Sequence, residues 1–149
     1  MSESTKLYAQ NGDPAFPKIV LPEIPDLAKI DVYESNGGYG ALKKALGMQP
    51  EAVTDEVKRS SLRGRGGAAF PTGLKWTFMP KGNDKAKYLA INADESEPGS
   101  FKDRQILEFN PHQLVEGIVI ASYAMGIKTA YIYIRGEYYK WYRILEKAV

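Results

Sequence analysis

The chain contains no cysteine and one histidine among its 149 residues. Without cysteine it can form neither a disulfide nor a catalytic thiolate. It also cannot hold a thiolate-ligated iron–sulfur cluster by itself, and a single histidine argues against a closed structural zinc site. Charge of one sign is scarce too: 20 basic against 18 acidic side chains leave a net charge of +2. That balance does not suit a general binder of nucleic acid or of anionic membrane. No apolar run reaches the ~18 residues of a spanning helix, and no signal-peptide pattern opens the chain. The most apolar stretch, residues 114–125 (LVEGIVIASYAM), is too short and is interrupted by Glu116. Any redox chemistry here needs an organic cofactor.

What is present suggests an α/β fold. Residues 1–30 carry Pro14, Pro17, Pro22 and Pro25 with little periodicity, and read as an irregular arm. Residues 37–47 (GGYGALKKALG) read as a short helix entered through glycines and stopped by Gly47. Residues 50–62 begin with Pro50, with acids early and bases late, as a helix dipole prefers. KYLAINA (87–93) reads as a buried strand, and Pro98-Gly99 suits a type II turn. Ser100 is placed to cap a helix running to about Phe109. Asn110 and Pro111 are placed as N-cap and N1 of a second, buried helix that ends at Gly126. TAYIYIRG (129–136) is a strand by composition. In residues 137–149, Tyr138, Trp141, Tyr142, Leu145 and Ala148 make one helical stripe. Strand, helix, strand, helix implies parallel strands joined by a crossover. Two such strands do not close a sheet whose faces and edges want covering, so the 149 residues are expected to be part of something larger.

Three constellations could carry chemistry. Leu62 to Trp76 (LRGRGGAAFPTGLKW) contains Gly64-Arg65-Gly66-Gly67-Ala68-Ala69, a match to G-x-G-x-x-[GA]. The residues before it look helical, so an ordinary dinucleotide turn, which follows a strand, is a poor reading. Consecutive glycines still let backbone amides approach an anion, with Arg63, Arg65 and Lys75 nearby in sequence; a solvated glycine-rich loop is the bland alternative. In Asn92 to Gly99 (NADESEPG), Asp94, Glu95 and Glu97 follow a strand's carboxyl end, where α/β sheets bind ligands. Carboxylates repel phosphate but accept hydrogen bonds from hydroxyls and ring N–H groups. An acidic solvated turn or a hard-metal site are the other readings. Phe70, Trp76 and Phe78 could stack on a base or belong to the core. His112 reads as a surface residue, and the tyrosines of 131–142 as packing.

Taken together, LRGRGGAAFPTGLKW, NADESEPGSFKDR, NPHQLVEGI and AYIYIRGEYY resemble the NADH-binding flavoprotein subunit of respiratory complex I (the F subunit of bacterial NADH:quinone oxidoreductase) from about Asp31 onward. The resemblance implies a Rossmann-like flavin domain with a modified glycine loop, present here in part over 31–149. It implies FMN as cofactor, NADH as substrate, and hydride transfer between them. Gly64, Arg65, Gly66, Gly67, Ala68 and Lys75 are implied around the flavin phosphate and the nucleotide. Asn92, Asp94, Glu95 and Ser96 are implied as polar ligands of FMN, Phe70 and Phe78 as the pair flanking the NADH adenine, and Glu97 as the acid near the bound NADH, in a catalytic and substrate-binding role. It further implies peripheral-arm partners, notably the small [2Fe–2S] protein known as the E subunit, at the cytoplasmic face of the membrane with only indirect membrane association. A complementing C-terminal polypeptide is a further expected partner, and the chain alone is expected to be inactive. The family's [4Fe–4S] ligands, ubiquitin-like domain and remaining flavin-domain half are missing here. The diaphorase subunit of an NAD-linked hydrogenase or formate dehydrogenase, and a non-catalytic nucleotide-binding or assembly module, are the alternatives. Ser61 and Ala69 stand where the family usually has glycine, and Ala69 raises the question whether a methyl group obstructs a left-handed backbone.

Overall fold

The computed structural model describes residues 18–82 and 85–149. Their elements are α1 (Ile30–Ser35), α2 (Gly40–Leu46), α3 (Pro50–Arg59), α4 (Thr72–Thr77), β1 (Tyr88–Ala93), α5 (Lys102–Phe109), α6 (Pro111–Met125), β2 (Thr129–Ile134), a 3-10 turn (Gly136–Tyr138) and α7 (Tyr139–Ala148). β1 and β2 pair in a two-stranded parallel sheet, with α5 and α6 in the connection between them. The expected α/β class and crossover are therefore found. The chain divides into two units: the first comprises residues up to Gly40 with Asn92–Glu116 and Ile132–Val149, the second Ala41–Ile91 with Gly117–Tyr131.

The core of the first unit gathers Leu107 of α5, Tyr138 and Leu145, with Leu114, Val115, Ile132, Ile134 and Trp141 packed around them. These come from the stripe of α7, the inward side of β2 and the first turns of α6, so the period-3.6 and period-2 patterns converge on one cluster. Glu108 ties α5 to α7, accepting hydrogen bonds from Lys140 Nζ (2.6 Å) and Trp141 Nε1 (2.9 Å). In the second unit, α3 starts with Pro50 at its first turn and ends with Lys58 and Arg59, as its sequence requires. α4 packs against it so closely that a Cβ on Gly73 would stand 2.6 Å from the Lys58 backbone nitrogen. α6 is stopped by Gly126 at φ +65°, with the Ile127 amide reaching back to the Ser122 carbonyl (2.8 Å), the six-to-one bond of a Schellman close.

Several expectations are corrected. Helices α1 and α4 were not foreseen; each spans six residues, too few to show a period. α2 begins only at Gly40 and α3 stops at Arg59, because Ser61 turns left-handed (φ +56°). Ser100 does not cap α5: Phe101 holds the N-cap position and no cap side chain bonds there. Asn110 does not cap α6 with its oxygen, which has no hydrogen-bond partner among the described residues; its amide nitrogen instead donates to the Val20 carbonyl and to Gln113. His112 is buried, not superficial, and stacks on Tyr33 while Tyr39 Oη lies 2.9 Å from its Nδ1. β1 is half-buried, with Leu89, Ile91 and Ala93 inward and Tyr88 outward. Of the late tyrosines, Tyr138 is core, whereas Tyr131, Tyr133 and Tyr139 are exposed. Residues 18–29 follow bends and turns, as expected of the arm; residues 1–17 lie outside the described residues.

Candidate functional site

The glycine segment belongs to the second unit and the acidic segment to the first. The glycine segment links helix to helix, α3 to α4, so no strand precedes it. Its base is pinched: the Gly64 amide donates to the Phe70 carbonyl (2.9 Å) and the Thr72 amide to the Leu62 carbonyl (2.8 Å), an antiparallel bridge joining Arg63 and Pro71. Arg63 Nη1 also donates to the Ala69 carbonyl at 3.2 Å. Between these points, residues 64–69 are exposed. Ala69 takes φ +50° and Ser61 φ +56°, so the methyl group does not prevent the left-handed turn; it is tolerated there at a cost.

The glycines of this loop do different work. Gly67 needs its lack of side chain for φ +98°. Gly66 has no positive φ, and a Cβ placed on it would meet nothing within 4 Å, so neither backbone geometry nor packing within the chain demands glycine there. Arg65 and Lys75 have no ion-pair partner among the described residues. An open glycine backbone with two uncommitted cations fits the chemistry of a phosphate group. Phe70 and Phe78 flank α4 with both rings exposed, not in the core, and they touch: their centroids lie 5.9 Å apart at 56°. Trp76 is half-buried and lines a small cavity with Thr54, Lys58 and Met79 in the same unit.

The acidic segment is built differently. The Asp94 amide donates to Asn92 Oδ1 (3.0 Å), and Ser96 Oγ donates to Asp94 Oδ2, so Asn92, Asp94 and Ser96 form one local polar chain. Glu97 is exposed, and its carbonyl accepts the Ser100 amide (3.1 Å) across Pro98 and Gly99, with Gly99 at φ +79°, the features of the expected type II turn. Glu95 turns the opposite way. Its side chain is fully buried, and its two oxygens accept from the Asp103 amide (2.5 Å), the Arg104 amide (3.2 Å), Arg104 Nε (2.9 Å) and Tyr138 Oη (2.8 Å). The resemblance implies a cofactor contact for Glu95; in the fold its carboxylate is engaged by four donors of the protein. It also does for the start of α5 what Ser100 does not, since the amides of Asp103 and Arg104 are among those a helix leaves unpaired. Burial opposes its charge, but Arg104, the Asp103 amide and Tyr138 outweigh that and hold its pKa down to about 2.

Arg104 and Arg135 were not singled out by sequence, and Tyr138 only as part of a helical stripe. Arg135 Nη1 donates to the Glu95 carbonyl (3.1 Å), and the guanidinium groups of Arg104 and Arg135 lie 5.1 and 5.4 Å from the Tyr138 ring centroid. They stand nine, 40 and 43 positions after Glu95, and no local spacing links them. A second buried carboxylate, Glu116, accepts from Tyr33 Oη (2.5 Å) and from the amide of Tyr39, itself at φ +57°. Burial first, then Glu116, pushes the Tyr33 phenol well above its usual range. No helix among the described residues is long and apolar enough to cross a membrane.

Residues 57–149 match the family described as Complex1_51K, the Nuo51 FMN-binding domain. The chain is 56% identical over 128 residues to the second F subunit of NADH-quinone oxidoreductase of Rhizobium meliloti, a match covering 85% of this chain and 30% of that protein. It is 58% identical over 125 residues to the F subunit of NADH-quinone oxidoreductase of Aquifex aeolicus, covering 84% and 29%. Among solved structures, an NAD+-reducing [NiFe]-hydrogenase in the air-oxidized state aligns with a TM-score of 0.63 and 44% identity, over 66% of this chain and 18% of the other. The chain thus spans less than a third of the length of the curated relatives it matches.

Proposed function

The chain belongs to the Nuo51 FMN-binding domain family, and from that premise we propose that it forms part of the flavoprotein subunit of an NADH-quinone oxidoreductase, binding FMN and NADH. When bound, FMN supplies the hydride acceptor. The observation that carries the reading is the glycine segment: an open Gly66 that the fold does not require, next in sequence to Arg65, with Lys75 following on α4, neither cation having an ion-pair partner among the described residues. In this reading the backbone of Gly64, Gly66, Gly67 and Ala68, with Arg65 and Lys75, neutralises phosphate. Asn92, Asp94 and Ser96 accept from or donate to hydroxyls, Phe70 and Phe78 take the adenine, and Glu97 stands at the nicotinamide. Their task is to orient two flat rings and exclude water; hydride transfer needs no protein acid or base. The partners would be other peripheral subunits, including a small [2Fe–2S] protein, at the inner face of the membrane, with any complementing C-terminal polypeptide.

The test is isolation of the assembly that contains this chain. Acid-released flavin should be FMN, and the assembly should oxidise NADH with an artificial electron acceptor. Absence of flavin together with absence of NADH oxidation would refute the reading. The hydrogenase alignment favours one second reading, in which the chain serves as part of a diaphorase. Co-purification of nickel and hydrogen-dependent NAD+ reduction would select it over quinone reduction. The chain alone is proposed to hold FMN poorly; stoichiometric FMN after gel filtration of the chain alone would overturn that.

A further inference from the structure

We propose that Glu95, Arg104 and Tyr138 are positioning residues that pin the backbone of 94–97, so that Asp94 and Ser96, not Glu95, face the flavin hydroxyls. This rests on the flavin reading above. Glu95 holds φ +44°, a left-handed conformation that costs a non-glycine residue about 1–2 kcal/mol. Such a residue persists where its surroundings over-determine it, and here they do. The carboxylate is held by two amides, a guanidinium and a phenol, and the carbonyl by Arg135.

Capping α5 alone would need only the amides of Asp103 and Arg104. The further donors come from the segment that follows β2: Tyr138 on the carboxylate, Arg135 on the carbonyl. Two guanidinium groups, those of Arg104 and Arg135, lie over the Tyr138 ring. The left-handed turn sends Glu95 inward while its neighbours stay outward, Ser96 exposed and hydrogen-bonded to Asp94. The segments after both strands' carboxyl ends are thereby locked to each other, at the sheet edge where α/β proteins hold ligands.

The experiment compares Tyr138→Phe, which keeps the ring and removes one donor, with Arg104→Lys, which keeps the charge and removes the guanidinium fork. Val53→Ala, a buried change in the other unit, serves as a stability control. FMN is titrated into the deflavinated assembly at a temperature where every variant is folded, and hydrogen exchange is followed by mass spectrometry over residues 92–104. Tyr138→Phe and Arg104→Lys should each weaken FMN binding about tenfold and speed exchange across 94–97, while Val53→Ala does neither. Affinity within twofold of the parent in both variants, or equal weakening by Val53→Ala, would overturn the proposal. If the parent assembly takes up no FMN, the flavin reading falls, and the exchange arm alone decides the pin: unchanged exchange across 94–97 in Tyr138→Phe refutes it.

Discussion

Two short loops carry nearly all the candidate site residues, and they are held in opposite ways. The acidic loop folds around a carboxylate with four donors, so its conformation is dictated by the chain. The glycine loop is pinched at its base by two backbone bonds and an arginine, and beyond that its residues are exposed. The first loop is finished before any ligand arrives. The second leaves open backbone, with Arg65 and Lys75 lacking an ion-pair partner among the described residues. Loss of a side chain should therefore cost stability in one loop and binding in the other.

The sharpest way to break that contrast is at Glu95. Glu95→Ala leaves the Asp103 amide and the buried Tyr138 hydroxyl without their acceptor, and is expected to cost about 1–3 kcal/mol of stability, read as a large drop in thermal midpoint. Arg65→Ala, in the glycine loop, should change stability by less than about 0.5 kcal/mol. Equal losses from the two would erase the distinction. Next in size, Gly73→Ala at the foot of the glycine loop meets the Lys58 backbone at 2.6 Å and should cost about 1–3 kcal/mol. Gly66→Ala, with nothing within 4 Å, should leave the midpoint unchanged or slightly raised while weakening FMN binding. A midpoint that falls as far for Gly66→Ala as for Gly73→Ala would count against the open cradle.

Acid separates the loops as well. The Glu95 pKa is lowered on folding to about 2 from about 4.5, so its contribution is complete above the ordinary value and is lost as pH falls from there toward 2. Stability should decline over that interval, and the decline should be shallower in Glu95→Gln; an identical slope would remove Glu95 from the acid transition. The smallest effect is expected at Ala69. Ala69→Gly relieves φ +50° but adds freedom to the unfolded chain, for a net gain of at most about 1 kcal/mol. A destabilised Ala69→Gly would mean that the methyl group makes a contact worth more than the strain.

Much of the glycine loop was legible because its chemistry is local. The motif, its helical approach and the adjacent cations all lie between Pro50 and Trp76. The Pro98-Gly99 turn was legible for the same reason. The pin at Glu95 was not, because its meaning depends on Arg104, Arg135 and Tyr138 arriving through a helix, a crossover and a strand. Seen as a sequence, Glu95 is one of three acids in a row of polar residues; only tertiary structure separates it from Asp94 and Glu97. His112 and Glu116 show the same limit. From sequence His112 reads as a surface residue and Glu116 only as a break in an apolar stretch; the return of Tyr33 and Tyr39 to that face of α6 makes both interior.

The contact between Phe70 and Phe78 has a thermodynamic consequence. A planar base lying between two rings needs them nearly parallel and about 7 Å apart, twice a carbon contact distance; here they are tilted by 56° at 5.9 Å. The two rings satisfy each other, each shielding part of the other from water. If the pair takes the adenine as proposed, the base must first undo an aromatic contact worth about 0.5–1.5 kcal/mol, which would lower its affinity by roughly two- to tenfold. Replacing one ring by leucine would remove that toll and the stacking reward together, so the change in base affinity reports only their difference.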